Sequence, residues 1–217
     1  MIWNRTLAGI ILVIIMLISI VYMLLKKKHL SKGIEYFIAA ISLLTLIEIT
    51  IMIGKHYDDD FQPLLYYIIG VNFFVFLLFF LFFQVILTVS RLKRINLIII
   101  SLFILNYIFS AIFINDFFEV FPFLSYFTQV VLLIGSIFLV ISQTFNSDKI
   151  LSISTYFPFW ICLSLLVIYL GVLPLMIVSI SAANFMNLNL FYAVLFLVNM
   201  IGYCILIVGV YKAKEES

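Results

Sequence analysis

The chain has 217 residues, of which 66% are hydrophobic and only 10% are charged, and its formal net charge is +2. Its mean hydropathy is +1.32. Soluble domains are roughly half apolar and about a quarter charged, so this composition excludes a water-soluble enzyme, a disordered regulator and a secreted disulfide scaffold. The small net charge, with no basic stripe, gives no basis for binding nucleic acid.

Seven apolar stretches dominate the chain. A helix needs about 20 residues to cross the hydrocarbon core of a bilayer, and none of the seven shows the alternation typical of a barrel strand. We therefore predict an all-α integral membrane protein, a single domain over residues 1–217 that forms a bundle of seven transmembrane helices. The predicted spans are 7–25, 34–54, 64–87, 97–114, 123–141, 157–178 and 190–211.

The charged loops predict the orientation of the bundle. Lys and Arg are enriched in the short cytoplasmic loops of membrane proteins. With the N-terminus outside and the C-terminus in the cytoplasm, only Arg5 and Lys55 of the 12 cations lie outside. The other cations are Lys26, Lys27, Lys28, Lys32, Arg91, Lys93, Arg94, Lys149, Lys212 and Lys214. The abundance of Phe, Ile, Tyr and Asn is typical of an AT-rich bacterial genome, so we expect a multi-pass protein of the bacterial inner membrane. A reporter fused after Ser217 that is active only outside the cytoplasm would contradict this orientation.

Four of these cations follow the first span within seven residues: Lys26, Lys27, Lys28 and Lys32. Lysines near the membrane surface attract anionic lipid headgroups by about 1 kcal/mol each. Membrane lipids are therefore predicted partners. The sequence also leaves open a membrane-protein partner or a second copy of the chain.

Glu48 is the ionisable residue predicted deep within a span. Insertion of a carboxyl at a span centre costs roughly 2.5–3.5 kcal/mol, so such a residue is a functional candidate. We predict an outward-opening polar pocket around it that binds a ligand. The other predicted members are Asn72, Asn106, Gln129, Tyr169 and Asn199. The alternative is that each amide only joins neighbouring helices.

Small residues and proline mark the last two spans. Pro174 lies deep inside span six and leaves a carbonyl of the preceding turn unpaired, and Gly171 eases a bend, so we predict a hinge at these two residues. Small residues on span seven, including Gly202 and Gly209, and Ser164 on span six predict close packing of the two helices. The phenylalanine-rich run 73–83 of span three predicts packing rather than a cofactor site.

No catalytic set is visible in the sequence. A retinal protein needs a lysine within the last span, but Lys212 stands only at its end, and the chain has no HExxH motif. The spans contain no histidine, and Cys162 and Cys204 lie in apolar runs without metal-ligand spacing. We therefore predict no enzymatic activity, no catalytic residue, no metal and no cofactor.

The C-terminal 70 residues resemble a family. The stretch 156–161 (YFPFWI), then Tyr169-Leu170-Gly171, Asn199 and the closing residues 210–214 (VYKAK) resemble a group of uncharacterised seven-span proteins common in bacteria of the Bacteroidota type. These are similar to the seven-helix sensory regions that precede some histidine kinases. Since no output domain follows Ser217 in this sequence, the resemblance implies a sensor-like module that acts through a partner.

Three functions remain open at this point. The first is a non-enzymatic sensor-like module or accessory subunit that binds a lipid, a small apolar ligand or a partner protein. The second is a small transporter or proton-coupled carrier that uses Glu48. The third is a membrane-embedded enzyme acting on lipids, for which the sequence gives the least support.

Overall fold

The computed structural model describes residues 5–58, 60–181 and 188–213. Asp59 and Lys214, among the charged loop residues, lie outside this part. The described residues contain no strand and form seven helices long and apolar enough to cross a membrane, which confirms the predicted fold class. They are α1 (Arg5–Leu25), α2 (Ile34–Tyr57), α3 (Tyr66–Ile86), α4 (Ser90–Phe113), α5 (Phe123–Phe145), α6 (Phe157–Ser181) and α7 (Leu188–Lys212).

Six of the seven described helices extend beyond their predicted spans, and the extensions are longest in the fourth and fifth helices. The fourth begins at Ser90 rather than at 97, because Arg91, Lys93 and Arg94 continue the helix beyond the apolar run. The fifth ends at Phe145 rather than at 141. Apolar length marks the hydrocarbon-crossing part of a helix, whereas backbone hydrogen bonds continue until a residue leaves helical geometry.

The helices form a closed ring around a core of aromatic side chains. Each packs against the next in the chain, α1 packs against α7, and α3 also packs against α5. The central helix α3 supplies phenylalanines that are at most 1% exposed, which confirms that the aromatic run serves packing. These are Phe76, Phe79, Phe80, Phe82 and Phe83.

The first half of α3 is a wide helix. Residues Tyr66–Val75 form a π-helix, and the α-helix Phe76–Ile86 continues from it. A neighbouring helix contributes to holding this segment, since the hydroxyl of Tyr107 donates to the carbonyl of Ile68 at 3.4 Å. π-Helical turns are rare and often lie at functional sites.

The two ends of the bundle differ in charge. At the end where α1 and α7 finish, Lys26 Nζ donates to the carbonyl of Val210. The loop between α3 and α4 also lies there, and we call this the lysine-rich end. The opposite end holds the loops 58–65 and 114–122. Their charged residues are acidic at 58, 60, 116 and 119, and we call this the acidic end.

Helices α6 and α7 make a close contact at their small residues. A Cβ at Gly202 would meet Ile168 Cγ1, and one at Gly209 would meet Trp160 Cβ. The hydroxyl of Ser164 donates to the carbonyl of Gly202 at 2.7 Å. The predicted close packing of the last two spans is thus confirmed.

Candidate functional site

Glu48 has a hydrogen-bond partner on the next helix. The hydroxyl of Tyr67, the second residue of α3, donates to Glu48 Oε1 of α2 at 3.0 Å, and both side chains are half-buried. Glu48 also interacts electrostatically with Tyr203 of α7 and with Lys55 of its own helix. The described hydrogen-bond partner of this carboxyl is therefore a hydroxyl on the neighbouring helix.

Three further tyrosines are buried in the core, on α5, α6 and α7. Tyr169 of α6 interacts electrostatically with Tyr203 and with Tyr126 of α5. The ring of Tyr169 packs edge-on against the ring of Phe76, with the ring centroids 5.1 Å apart. The Phe76 ring also packs edge-on against the ring of Tyr126, with the centroids 6.0 Å apart. Ring contacts thus join α3 to α5 and α6 at these tyrosines.

A hydrogen-bonded network joins α4 to α5. Asn106 Nδ2 donates to the carbonyl and to the hydroxyl oxygen of Ser125, at 3.2 and 3.1 Å. Gln129 Nε2 donates to the same hydroxyl at 3.3 Å. The structure thus joins Asn106 and Gln129, two predicted members of the polar pocket, through Ser125, which the sequence had not singled out.

Two buried amides are incompletely satisfied. Asn72 of α3 and Gln129 of α5 are each 1% exposed. Asn72 Nδ2 has no hydrogen-bond partner among the described residues, and neither has Gln129 Oε1. One is a donor and the other an acceptor, and each is the seventh residue of its helix. Helix α3 packs against α5 through the segment Phe76–Ile86, which begins one turn after Asn72. An unpaired polar atom in a membrane core costs several kcal/mol, so this pair needs an explanation.

We call seven of these residues the core polar cluster. They are Glu48, Tyr67, Asn72, Tyr126, Gln129, Tyr169 and Tyr203. Asn72 stands four residues before Phe76 and Gln129 three residues after Tyr126, so both amides flank the same aromatic contact. The cluster combines a carboxyl, hydroxyls and two open amide atoms within an aromatic core.

The remaining predicted members behave differently. Asn199 Nδ2 donates to the carbonyl of Leu195 on its own helix at 2.8 Å, so its amide is used locally. Pro174 lies inside α6, which continues through it. Gly171 lies in close contact with Val198 of α7, since a Cβ added at Gly171 would lie 2.5 Å from Val198 Cγ1. The hinge therefore stays a prediction, and Gly171 has a packing role in the described contacts.

Another buried network lies outside the predicted pocket. Asn96 is fully buried, its Nδ2 donates to Gln84 Oε1 at 2.9 Å, and its Oδ1 accepts from Ser136 at 2.7 Å. Gln143 Oε1 accepts from the backbone N–H of Thr88 at 2.7 Å and so holds the loop that precedes α4. These groups are paired, which is typical of polar contacts that join membrane helices.

Of the four lysines predicted to contact lipid headgroups, Lys26 is the one bonded to α7. Lys26 Nζ donates to the carbonyls of Val210 and Tyr211 at the end of α7. Lys27 forms an ion pair with Glu35 at 3.3 Å. Lys28 and Lys32 are exposed.

Seven apolar spans with a polar cluster in their core define a multi-pass α-helical membrane protein. Comparisons of the chain with protein-family models, with curated proteins and with solved structures find no match. The geometry of the core polar cluster is therefore what bears on function.

Proposed function

We propose that the protein is a non-enzymatic binding module, a sensor-like or accessory protein of the bacterial inner membrane with its C-terminus in the cytoplasm. Its core takes a small, mainly apolar ligand that carries a hydroxyl or amide. The observation that carries the proposal is the pair of open amide atoms, Asn72 Nδ2 and Gln129 Oε1, at 1% exposure. A hydroxyl both donates and accepts, and an amide does the same with its two ends, so either group is a partner for each of these atoms.

The surroundings of the two amides support an apolar ligand body. Phe76, one turn after Asn72, packs against Tyr126, one turn before Gln129, and Tyr169 packs against Phe76. Ligand sites are mainly apolar with a few placed polar groups. The wide-helix segment Tyr66–Val75 contains both Tyr67 and Asn72, and rare helix geometry of this kind is found at functional sites.

The test is native mass spectrometry of the protein in nanodiscs prepared directly from cell membranes. We expect a small molecule at about one copy per chain in the wild type. Asn72→Leu and Gln129→Leu should each reduce its occupancy about tenfold, the equivalent of one hydrogen bond lost in a dry site. Asn199→Leu is the matched control, because that amide bonds only to its own helix. Wild-type protein without a bound molecule, or equal loss in the control, would contradict the proposal.

A proton-coupled carrier is the second candidate, and the hydrogen bond from Tyr67 to Glu48 favours it. A carboxyl within a span is a typical protonation site of transporters. With Glu48 as the site that takes up and releases the proton, the predicted hinge at Gly171 and Pro174 supplies the change between two open states.

Proton influx into proteoliposomes that contain a pH-sensitive dye tests the carrier. Addition of a mixture of amino acids, sugars and nucleosides should acidify wild-type vesicles, and Glu48→Gln should abolish this response. Glu35→Gln is the control, since Glu35 lies at the lysine-rich end and pairs with Lys27 there. Unchanged influx in Glu48→Gln removes this carboxyl from any carrier mechanism.

A further inference from the structure

An apolar groove follows one face of α1. It has a volume of about 420 Å³ and is lined by Ile14, Leu17, Ile18, Val21, Tyr22 and Leu25. We call it the α1 groove. Its residues recur at steps of three and four, which places them on a single helix face. From Ile14 to Leu25 the helix rises about 16 Å at 1.5 Å per residue. This is close to half of the roughly 30 Å hydrocarbon core, the depth of one leaflet.

A polar cavity continues the α1 groove at the lysine-rich end. It has a volume of about 500 Å³, and we call it the lysine cavity. It is lined by Lys26, Ser154, Thr155, Tyr211, Lys212 and Ala213. The two spaces adjoin because Tyr22 of the groove and Lys26 of the cavity are one helical turn apart, with Lys26 Nζ 5.6 Å from the centre of the Tyr22 ring.

The two ammonium groups of the lysine cavity are held in place. Lys26 Nζ donates to the carbonyls of Val210 and Tyr211 at 3.3 and 3.1 Å, where the end of the α7 dipole favours a cation. Lys212 Nζ lies 5.1 Å from the centre of the Trp160 ring. None of the six lining residues is acidic. The cavity therefore presents fixed positive charge brought together from the ends of α1 and α7.

We propose that these two spaces together bind one anionic glycerophospholipid. Its phosphate lies between Lys26 and Lys212, where the exposed Ser154 adds a hydroxyl donor, and one acyl chain follows the α1 groove. Ammonium groups bind phosphate as point charges, and tryptophan and tyrosine are typical of the membrane interface. The site is separate from the core polar cluster and does not depend on its function. Of the four lysines in the sequence prediction, this site uses Lys26 and adds Lys212 from α7, whereas Lys27, Lys28 and Lys32 lie outside the lining of the lysine cavity.

The test uses full-length protein in detergent with equal amounts of phosphatidylglycerol and phosphatidylcholine, followed by native mass spectrometry. We expect one retained phosphatidylglycerol per chain. The double variant Lys26→Gln/Lys212→Gln should lower this retention about 30-fold, at about 1 kcal/mol for each lysine. The double variant Lys28→Gln/Lys32→Gln removes the same charge away from the cavity and should leave retention unchanged.

Two further arms keep the proposal falsifiable if loss of Lys26 disturbs folding. Val21→Trp fills the α1 groove at an exposed position and keeps both lysines, and it should also lower retention. Glycerol 3-phosphate, a headgroup without acyl chains, should fail to displace the bound lipid. Equal retention of both lipids, equal loss in the two double variants, or displacement by glycerol 3-phosphate would overturn the proposal.

Discussion

Replacing Asn96 by leucine is expected to lower the free energy of unfolding by about 2–3 kcal/mol, whereas replacing Asn72 by leucine is expected to raise it by about 1 kcal/mol. Both asparagines are buried in the α3–α4–α5 region. Asn96 bonds to Gln84 and Ser136, and its loss leaves both partners unpaired in an apolar core. Asn72 Nδ2 has no partner, so leucine removes a desolvated amide and no described hydrogen bond.

The midpoint of unfolding by sodium dodecyl sulfate in mixed micelles measures both effects on ligand-free protein. Circular dichroism should show equal helix content in both variants. Since functional sites often retain polar groups that weaken the free protein, a more stable Asn72→Leu that also loses its bound molecule would support a ligand site. Asn72→Leu as destabilising as Asn96→Leu would show that the amide of Asn72 already has a partner within the protein.

The number and approximate positions of the helices could be predicted from the sequence, because crossing a bilayer requires a minimum apolar length that few other structures share. The early start of α4 at Ser90 could not, because Arg91, Lys93 and Arg94 interrupt the apolar run without interrupting backbone hydrogen bonds. The π-helical first half of α3 could not be predicted either, because an apolar run has the same pattern whether it forms an α-helix or a π-helix.

Part of the candidate site could also be predicted. A carboxyl in a span is unusual by itself, which is why Glu48 was found, and Gln129 and Tyr169 were found by their depth. Tyr67 was missed, although it stands 19 residues after Glu48 on the next antiparallel helix, because tyrosine near a span end is ordinarily read as an interface anchor.

The lipid site shows a different limit of sequence reasoning. Lys26 and Lys212 are brought together by packing of the first helix against the last, which no local pattern contains. The cluster Lys26–Lys27–Lys28 suggested one common role for its members. Only the contact with α7 separates Lys26 from Lys27, which pairs with Glu35 instead.

Replacing Gly209 by alanine is expected to destabilise the protein by about 2–3 kcal/mol. Alanine is intrinsically the better helix former by about 1 kcal/mol. At Gly209, however, the added Cβ would meet Cβ and Cγ of Trp160, atoms next to the α6 backbone that cannot turn away. The helices must therefore separate, with the cost typical of overpacking. Since Trp160 also holds Lys212, the same change should weaken phosphatidylglycerol retention.

Gly135→Ala is the matched control for this effect. A Cβ at Gly135 would find only Ile99 Cδ1 at 3.6 Å, an ordinary contact, so alanine there should stabilise α5 by up to about 1 kcal/mol. Opposite shifts of the two unfolding midpoints are the expected result in the same mixed-micelle titration. A Gly209→Ala protein as stable as Gly135→Ala would mean that α6 and α7 do not approach as closely as the Gly209–Trp160 contact requires, and Lys212 would then lack its fixed position in the lysine cavity.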